Sequence, residues 1–163
     1  MKSPFLHILL TALGVGFLAV SMYDIKSVEG HSMSPTLYPS DKVIINRWAY
    51  GLQLPFVDRY LFHWNNVAPG ELVYFHDPVY QKPAVKRCLA VVQTEIIYNN
   101  GELLIGDDHI PLNASLKSSF VGLHAIPEGK VFLIGDNQTV SFDSRYYGLV
   151  DEGRIEGRVV RLR

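Results

Sequence analysis

The chain has 163 residues, a formal charge of −1 and a hydrophobic share of 48%, enough for one domain with a real core and perhaps a small added lobe. Its cations are not gathered into a dense basic run, so nothing points to nucleic acid as a partner. Cys88 is the single cysteine and the six histidines lack HxxxH or His-x-His spacing, which rules out an internal disulfide and leaves no expected metal site or cofactor.

From Pro4 to Tyr23 there is no Asp, Glu, Lys or Arg, and Phe5 to Met22 is mostly Leu, Ile, Val, Ala, Gly and Phe. About 20 such residues at ~1.5 Å rise cross a hydrocarbon core of roughly 30 Å, so residues 1–24 read as an N-terminal transmembrane anchor in the lipid bilayer. Lys2 precedes the run and Asp24 follows it, a bias that puts the N-terminus in the cytoplasm and the rest outside. The rival is a cleaved secretory signal with Ala19 and Ser21 at the small-residue positions, for which the run is long.

Beyond the anchor the pattern is β. Ile25 to Gly30 reads as a short strand leading into Gly30-His31-Ser32-Met33-Ser34-Pro35-Thr36-Leu37. There Pro35-Thr36 forces a turn and leaves Ser32 on an extended strand end, exposed at a bend. Val43 to Asn46 is a β-branched strand. The aromatic stretch Trp48 to Phe56, continued at Tyr60 to Trp64, is either a core hairpin or an apolar rim at a membrane interface. Leu72 to Phe75 and Ala84 to Val92 read as strands, and Glu95 to Ile105 as a hairpin about Asn99-Asn100-Gly101. Gly106 to Glu128 reads as a polar loop, Lys130 to Asn137 as a buried strand and turn, and Ile155 to Leu162 as the last strand.

A serine hydroxyl needs a base before it can act as a nucleophile. His31 adjoins Ser32, but neighbours on an extended chain point to opposite faces. Lys86 is the better candidate, because it lies in the apolar strand between Val85 and Cys88-Leu89-Ala90-Val91-Val92. Burial strips an ammonium of hydration and lowers its pKa, so a neutral amine could take the Ser32 proton. The plain reading of such a lysine is an edge or snorkelling residue.

Three ordered stretches carry a resemblance: Ser32-Met33-x-Pro35-Thr36-Leu37; Val85-Lys86-Arg87; and Gly135-Asp136-Asn137 followed by Ser141-x-Asp143-Ser144-Arg145-Tyr146-x-Gly148. In order and rough spacing the chain resembles the type I signal peptidases, membrane-anchored Ser–Lys proteases that remove signal peptides from exported proteins. The resemblance implies Ser32 as nucleophile and Lys86 as general base. It implies Ser141 as the serine that orients the lysine amine, Asp143 and Arg145 as a bracing ion pair, and Gly135, Asp136 and Asn137 as the turn that positions them. It also implies an oxyanion donor in the Ser32 N–H, and signal peptides of exported precursors as partners, laid extended near Val28 or near Pro83 to Val85. Val28, Met33, Leu37 and Val85 are the expected walls of shallow pockets that admit small-x-small sites. The implied fold is mainly β, a β-sheet or partial-barrel protease domain over residues 25–163 behind one transmembrane helix. The implied place is the bacterial cytoplasmic membrane, single-pass, with the catalytic domain on the extracytoplasmic side.

Two departures stand out. Gly30 occupies a position where some members have a serine that helps the oxyanion hole. Ala90-Val91-Val92-Gln93-Thr94 replaces the family's Gly-Leu-Pro-Gly-Asp, and the short stretch to Lys130 implies a reduced second lobe at about 93–129. The alternatives are a processing peptidase dedicated to a narrow client such as a conjugation-system pilin, a self-cleaving repressor-type Ser–Lys domain, and an inactive membrane-tethered peptide-binding β-module.

Overall fold

A computed structural model describes residues 11, 22–53, 60–99, 101–106, 108–112, 116 and 120–162. Most of the apolar segment expected to anchor the chain lies outside the described residues, as does part of the aromatic stretch at 54–59. Among the described residues, no helix is long and apolar enough to cross a membrane.

The main element is a curled sheet of seven strands in the order β1-β2-β12-β5-β6-β10-β11. Its members are β1 (Tyr23–Ser27), β2 (Lys42–Asn46), β5 (Leu72–His76), β6 (Pro83–Ala90), β10 (Lys130–Ile134), β11 (Val150–Asp151) and β12 (Ile155–Arg161). All its pairings are antiparallel. Tyr23 and Asp24, which the sequence assigns to the anchor, pair with Asn46 and Ile45 as the first residues of β1.

Strand alternation sorts the core. On one face of β5 and β6, Val73, Phe75 and Cys88 join Val131, Leu133 and Ile155. On the other, Tyr74 joins Met33, Leu37, Val43, Ile45 and Val159, with Val28 and Val85 packed alongside. In the first cluster burial pushes the Cys88 thiol up to about 12, so it is a small core residue and not a reactive one.

Two smaller sheets flank this one. β3 (Gly51–Gln53) and β4 (Tyr60–His63) form a hairpin that divides its aromatics. Tyr50 is buried and donates to Glu71 at 2.9 Å, whereas Leu61, Phe62 and Trp64 are each more than half exposed. The second sheet is β7 (Ile97–Asn99), β8 (Glu102–Ile105) and β9 (Asp108–Pro111). β9 corrects the sequence reading of a loop from Gly106. Its register puts Ile110 opposite Leu103, and both are buried. Those two residues share a third cluster with Phe120, Ile126, Phe132 and Ile134, so this sheet covers the face of β10 turned away from the first cluster.

The turn that enters this sheet forms without the family's Gly-Leu-Pro-Gly-Asp. Gln93 takes φ +65°, Thr94 N–H donates to Val91 O at 3.0 Å, and Thr94 Oγ1 accepts from Val91 N–H at 3.2 Å. A second element absent from the sequence reading is α1 (Ser144–Tyr147), a single turn capped by Asp143, whose carboxylate accepts from the Arg145 N–H.

Candidate active site

Ser32 lies in a tight turn, not on the strand end the sequence predicts. Ser34 N–H reaches His31 O at 3.1 Å and Leu37 N–H reaches Met33 O at 2.9 Å. The apolar spacing explains this: Met33 and Leu37, four apart, both bury their side chains in the core and so close a helical turn between them. The entry and exit of the loop are held together, with Val28 N–H on Asp41 O at 2.9 Å and Ser40 N–H on Val28 O at 2.8 Å. The Ser34–Pro35 peptide is cis.

This turn presents the Ser32 hydroxyl to β6. Lys86, only 4% exposed, donates to Ser32 Oγ from Nζ at 2.9 Å. Burial drives the lysine below its ordinary range, and the nearby Asp143 carboxylate only partly opposes that. His31 is exposed, and the base candidate against Ser32 is the lysine.

The loop after β10 closes the site from the other side. Asn137 N–H donates to Ser32 O at 2.9 Å. At Gly135 the chain passes so close that a Cβ would sit 2.6 Å from Ser32 O and 2.2 Å from Ser141 Oγ. Only glycine fits there. Ser141 Oγ is buried and has no hydrogen-bond partner, Lys86 included.

Asp143 and Arg145 form a buried bidentate pair, Nε to Oδ1 at 2.8 Å and Nη2 to Oδ2 at 2.9 Å. The same carboxylate accepts Gly135 N–H at 3.0 Å, and the same guanidinium donates to Ser141 O at 3.2 Å. One ion pair thus fixes both the Gly135 passage and the Ser141 backbone.

A second clasp was not anticipated from the sequence. Arg87 forks onto Asp136, Nε to Oδ1 at 2.8 Å and Nη2 to Oδ2 at 2.6 Å. Thr36 Oγ1 donates to the same carboxylate, and Arg87 also donates to Gly70 O at 2.8 Å. Burial works to raise the Asp136 carboxyl, but the hydrogen bonds from Arg87 and Thr36 outweigh it and hold the group below the usual carboxylate range. The clasp ties the Ser32 turn, β6 and the Gly135 loop together. A signal was available: Arg87 follows Lys86 on a strand and so must face the opposite side, where it needs a carboxylate.

A groove of about 600 Å³ opens onto Ser32 and Lys86, between residues 26–30 of the first strand and its exit and residues 83–86 of β6. Along 83–85, β6 pairs with β5 only, since β10 joins it from Arg87 onward. Val28, Met33 and Val85 line this groove. Leu37, expected with them, is fully buried in the core beneath.

The family model for signal peptidases of the peptidase S26 type matches residues 2–162. The chain belongs to that family. Signal peptidase IB of Staphylococcus aureus (strain Mu50 / ATCC 700699) is 31% identical over 159 residues, covering 89% of this chain and 78% of that protein. Signal peptidase I V of Bacillus subtilis (strain 168) is 27% identical over 146 residues, covering 80% and 79%. Among solved structures, a signal peptidase I from Enterococcus faecalis V583 matches with a TM-score of 0.42 at 22% identity, covering 58% of this chain and 97% of that one. Membership makes this S26 chain a hydrolase of the serine peptidase class. Among its described residues, no group of His, Cys, Asp and Glu could hold a metal ion.

Proposed function

We propose that this S26 peptidase is a membrane-bound serine endopeptidase that removes signal peptides from exported proteins, cutting after small-x-small sites. The observation that carries the reading is the 2.9 Å contact between Ser32 Oγ and a lysine amine with almost no access to water.

In the reactive state Lys86 is neutral and the contact reverses, so that Ser32 donates to the amine. As Oγ attacks the peptide carbonyl, Lys86 takes the hydroxyl proton. The Ser32 N–H meets the charge that develops on the carbonyl oxygen. Gly30 has no side chain to add, so a second donor is backbone or water. Lys86 then passes its proton to the leaving amine and an acyl ester remains on Ser32. Lys86 next takes a proton from a water, the hydroxide adds to the ester carbonyl, and Lys86 returns that proton to the departing Ser32 Oγ, which restores the serine and the neutral amine. Ser141 Oγ, buried without a partner, supplies an acceptor for the amine once Ser32 is acylated.

The free edge of β6 at 83–85 supports a substrate bound as an added strand, and the apolar walls at Val28, Met33 and Val85 suit small side chains. The apolar segment before Asp24 would tether the chain to the bacterial cytoplasmic membrane, single-pass, with this groove on the extracytoplasmic side.

The test is incubation of the detergent-solubilised chain with a precursor carrying an Ala-x-Ala site, with products read by mass. A cut after the second alanine is expected. No cut in any general precursor would sink the general activity and leave a peptidase for one dedicated client.

A further inference from the structure

Around Ser32 and Lys86 the walls of the groove are Val28, Met33 and Val85, with the exposed Glu29 carboxylate the one acidic group among its described lining residues, and Lys26 lines it from the strand before Val28. Lys26 and Val28 are two residues apart on extended chain, so they face the same side at a separation of about 7 Å.

Lys26 belongs to a charged row that the proposed reaction does not use. Lys26 Nζ lies 3.2 Å from Asp24, Arg47 bridges Asp24 and Glu156 at 3.1 Å each, and His76 Nδ1 meets Glu156. Arg47 also sits over the Tyr74 ring, 5.9 Å from its centroid. Both carboxylates therefore hold Arg47, whereas Lys26 has only a share in Asp24 and leaves 48% of its side chain exposed. Of these two cations, Lys26 is the one less tightly held and able to turn onto a ligand in the groove.

We propose that Lys26 is a specificity-determining residue at the upstream end of the groove, favouring an acidic and disfavouring a basic side chain four or five residues before the cut. The proposal rests on the reading of the groove as the seat of the cleavage region. A peptide extended at ~3.3 Å per residue, with its scissile carbonyl at Ser32, carries its fourth and fifth upstream residues past Val28 and alongside Lys26. The pair so formed is partly exposed, so its effect is modest, about two- to fivefold at low salt. It also fades as the Debye length shortens from ~10 Å at 0.1 M to ~3 Å at 1 M.

The experiment uses one Ala-x-Ala peptide with Glu, Gln or Lys at the fourth or fifth upstream position, cut by the full chain, Lys26→Gln and Lys26→Glu. Wild type should prefer Glu to Lys by that factor in kcat/KM, Lys26→Gln should level the series, and Lys26→Glu should invert it, each rate being taken relative to the same protein's rate on the Gln peptide. An unchanged order in Lys26→Glu overturns the proposal, as does an equal loss on all three peptides, which would mark Lys26 as merely bracing Asp24. If wild type cuts none of them, the general signal-peptidase reading falls and a peptidase for a dedicated client remains. Anisotropy of the labelled peptides on Ser32→Ala protein then still reads the preference, and identical affinities would overturn it.

Discussion

Substituting Gly135 by alanine puts the whole arrangement under one small load. The added Cβ would lie 2.6 Å from Ser32 O, against the 3.4 Å at which ordinary contact begins, a shortfall of about 0.8 Å. Ser141 cannot absorb it by rotating its hydroxyl, because its Cβ is also only 2.6 Å away. Something in the backbone has to move, and Ser32 O is itself fastened to the Asn137 N–H. Overpacking of this kind costs about 1–3 kcal/mol of stability. The effect on rate should be larger, since misplacing a reacting group by about 1 Å costs on the order of 100-fold. Steady-state cleavage of an Ala-x-Ala peptide gives the second number, and urea unfolding gives the first. A Gly135→Ala protein that is folded and cuts at the wild-type rate would refute the claim that this passage sets the position of Ser32.

Asp143→Asn leaves Arg145 buried without its carboxylate, and should cost about 3–5 kcal/mol in urea unfolding. A loss below about 1 kcal/mol would mean that the pair braces nothing. Arg87→Lys keeps the charge but gives up the fork onto Asp136. It should lower kcat about tenfold with KM little changed, a loss of roughly 1.4 kcal/mol in the transition state; an effect confined to KM would place the clasp in binding instead. Lys86→Met should abolish cleavage without lowering stability at neutral pH. The sign follows from its lowered pKa: the unfolded chain binds the lysine proton more tightly, so wild-type stability rises with pH from the lowered value up to the ordinary one near 10.4. The difference between wild type and Lys86→Met in denaturation across that window should therefore shrink as pH rises; a constant difference would contradict a desolvated lysine.

Strands with β-branched runs were legible in the sequence because burial of one face demands that pattern, as at Lys42–Asn46 and Lys130–Ile134. β9 was not, because only Ile110 of its four residues turns inward and the strand forms by pairing with β8. α1 is four residues long, too short for any helical period, and its single signal is the Asp143 cap. The Ser32 turn was misread as a strand end because Pro35 dominates the local reading, while the Met33 and Leu37 pair that closes the turn looks like ordinary pocket wall. Ser32 and Lys86 are 54 residues apart, and what brings them together is the curl of the sheet, which no local pattern encodes. Arg87 and Asp136 were both in the quoted motifs, yet their pairing emerges only from the register that sets Ile134 opposite Arg87.

The most direct test of the central claim, that Lys86 activates Ser32, is covalent labelling with a fluorophosphonate, followed by peptide mapping of the modified residue. Wild type should carry the label on Ser32, and Lys86→Met should remain unlabelled over the same time while keeping its fold. Label on another residue, or labelling of Ser32 in Lys86→Met at the wild-type rate, would contradict the account.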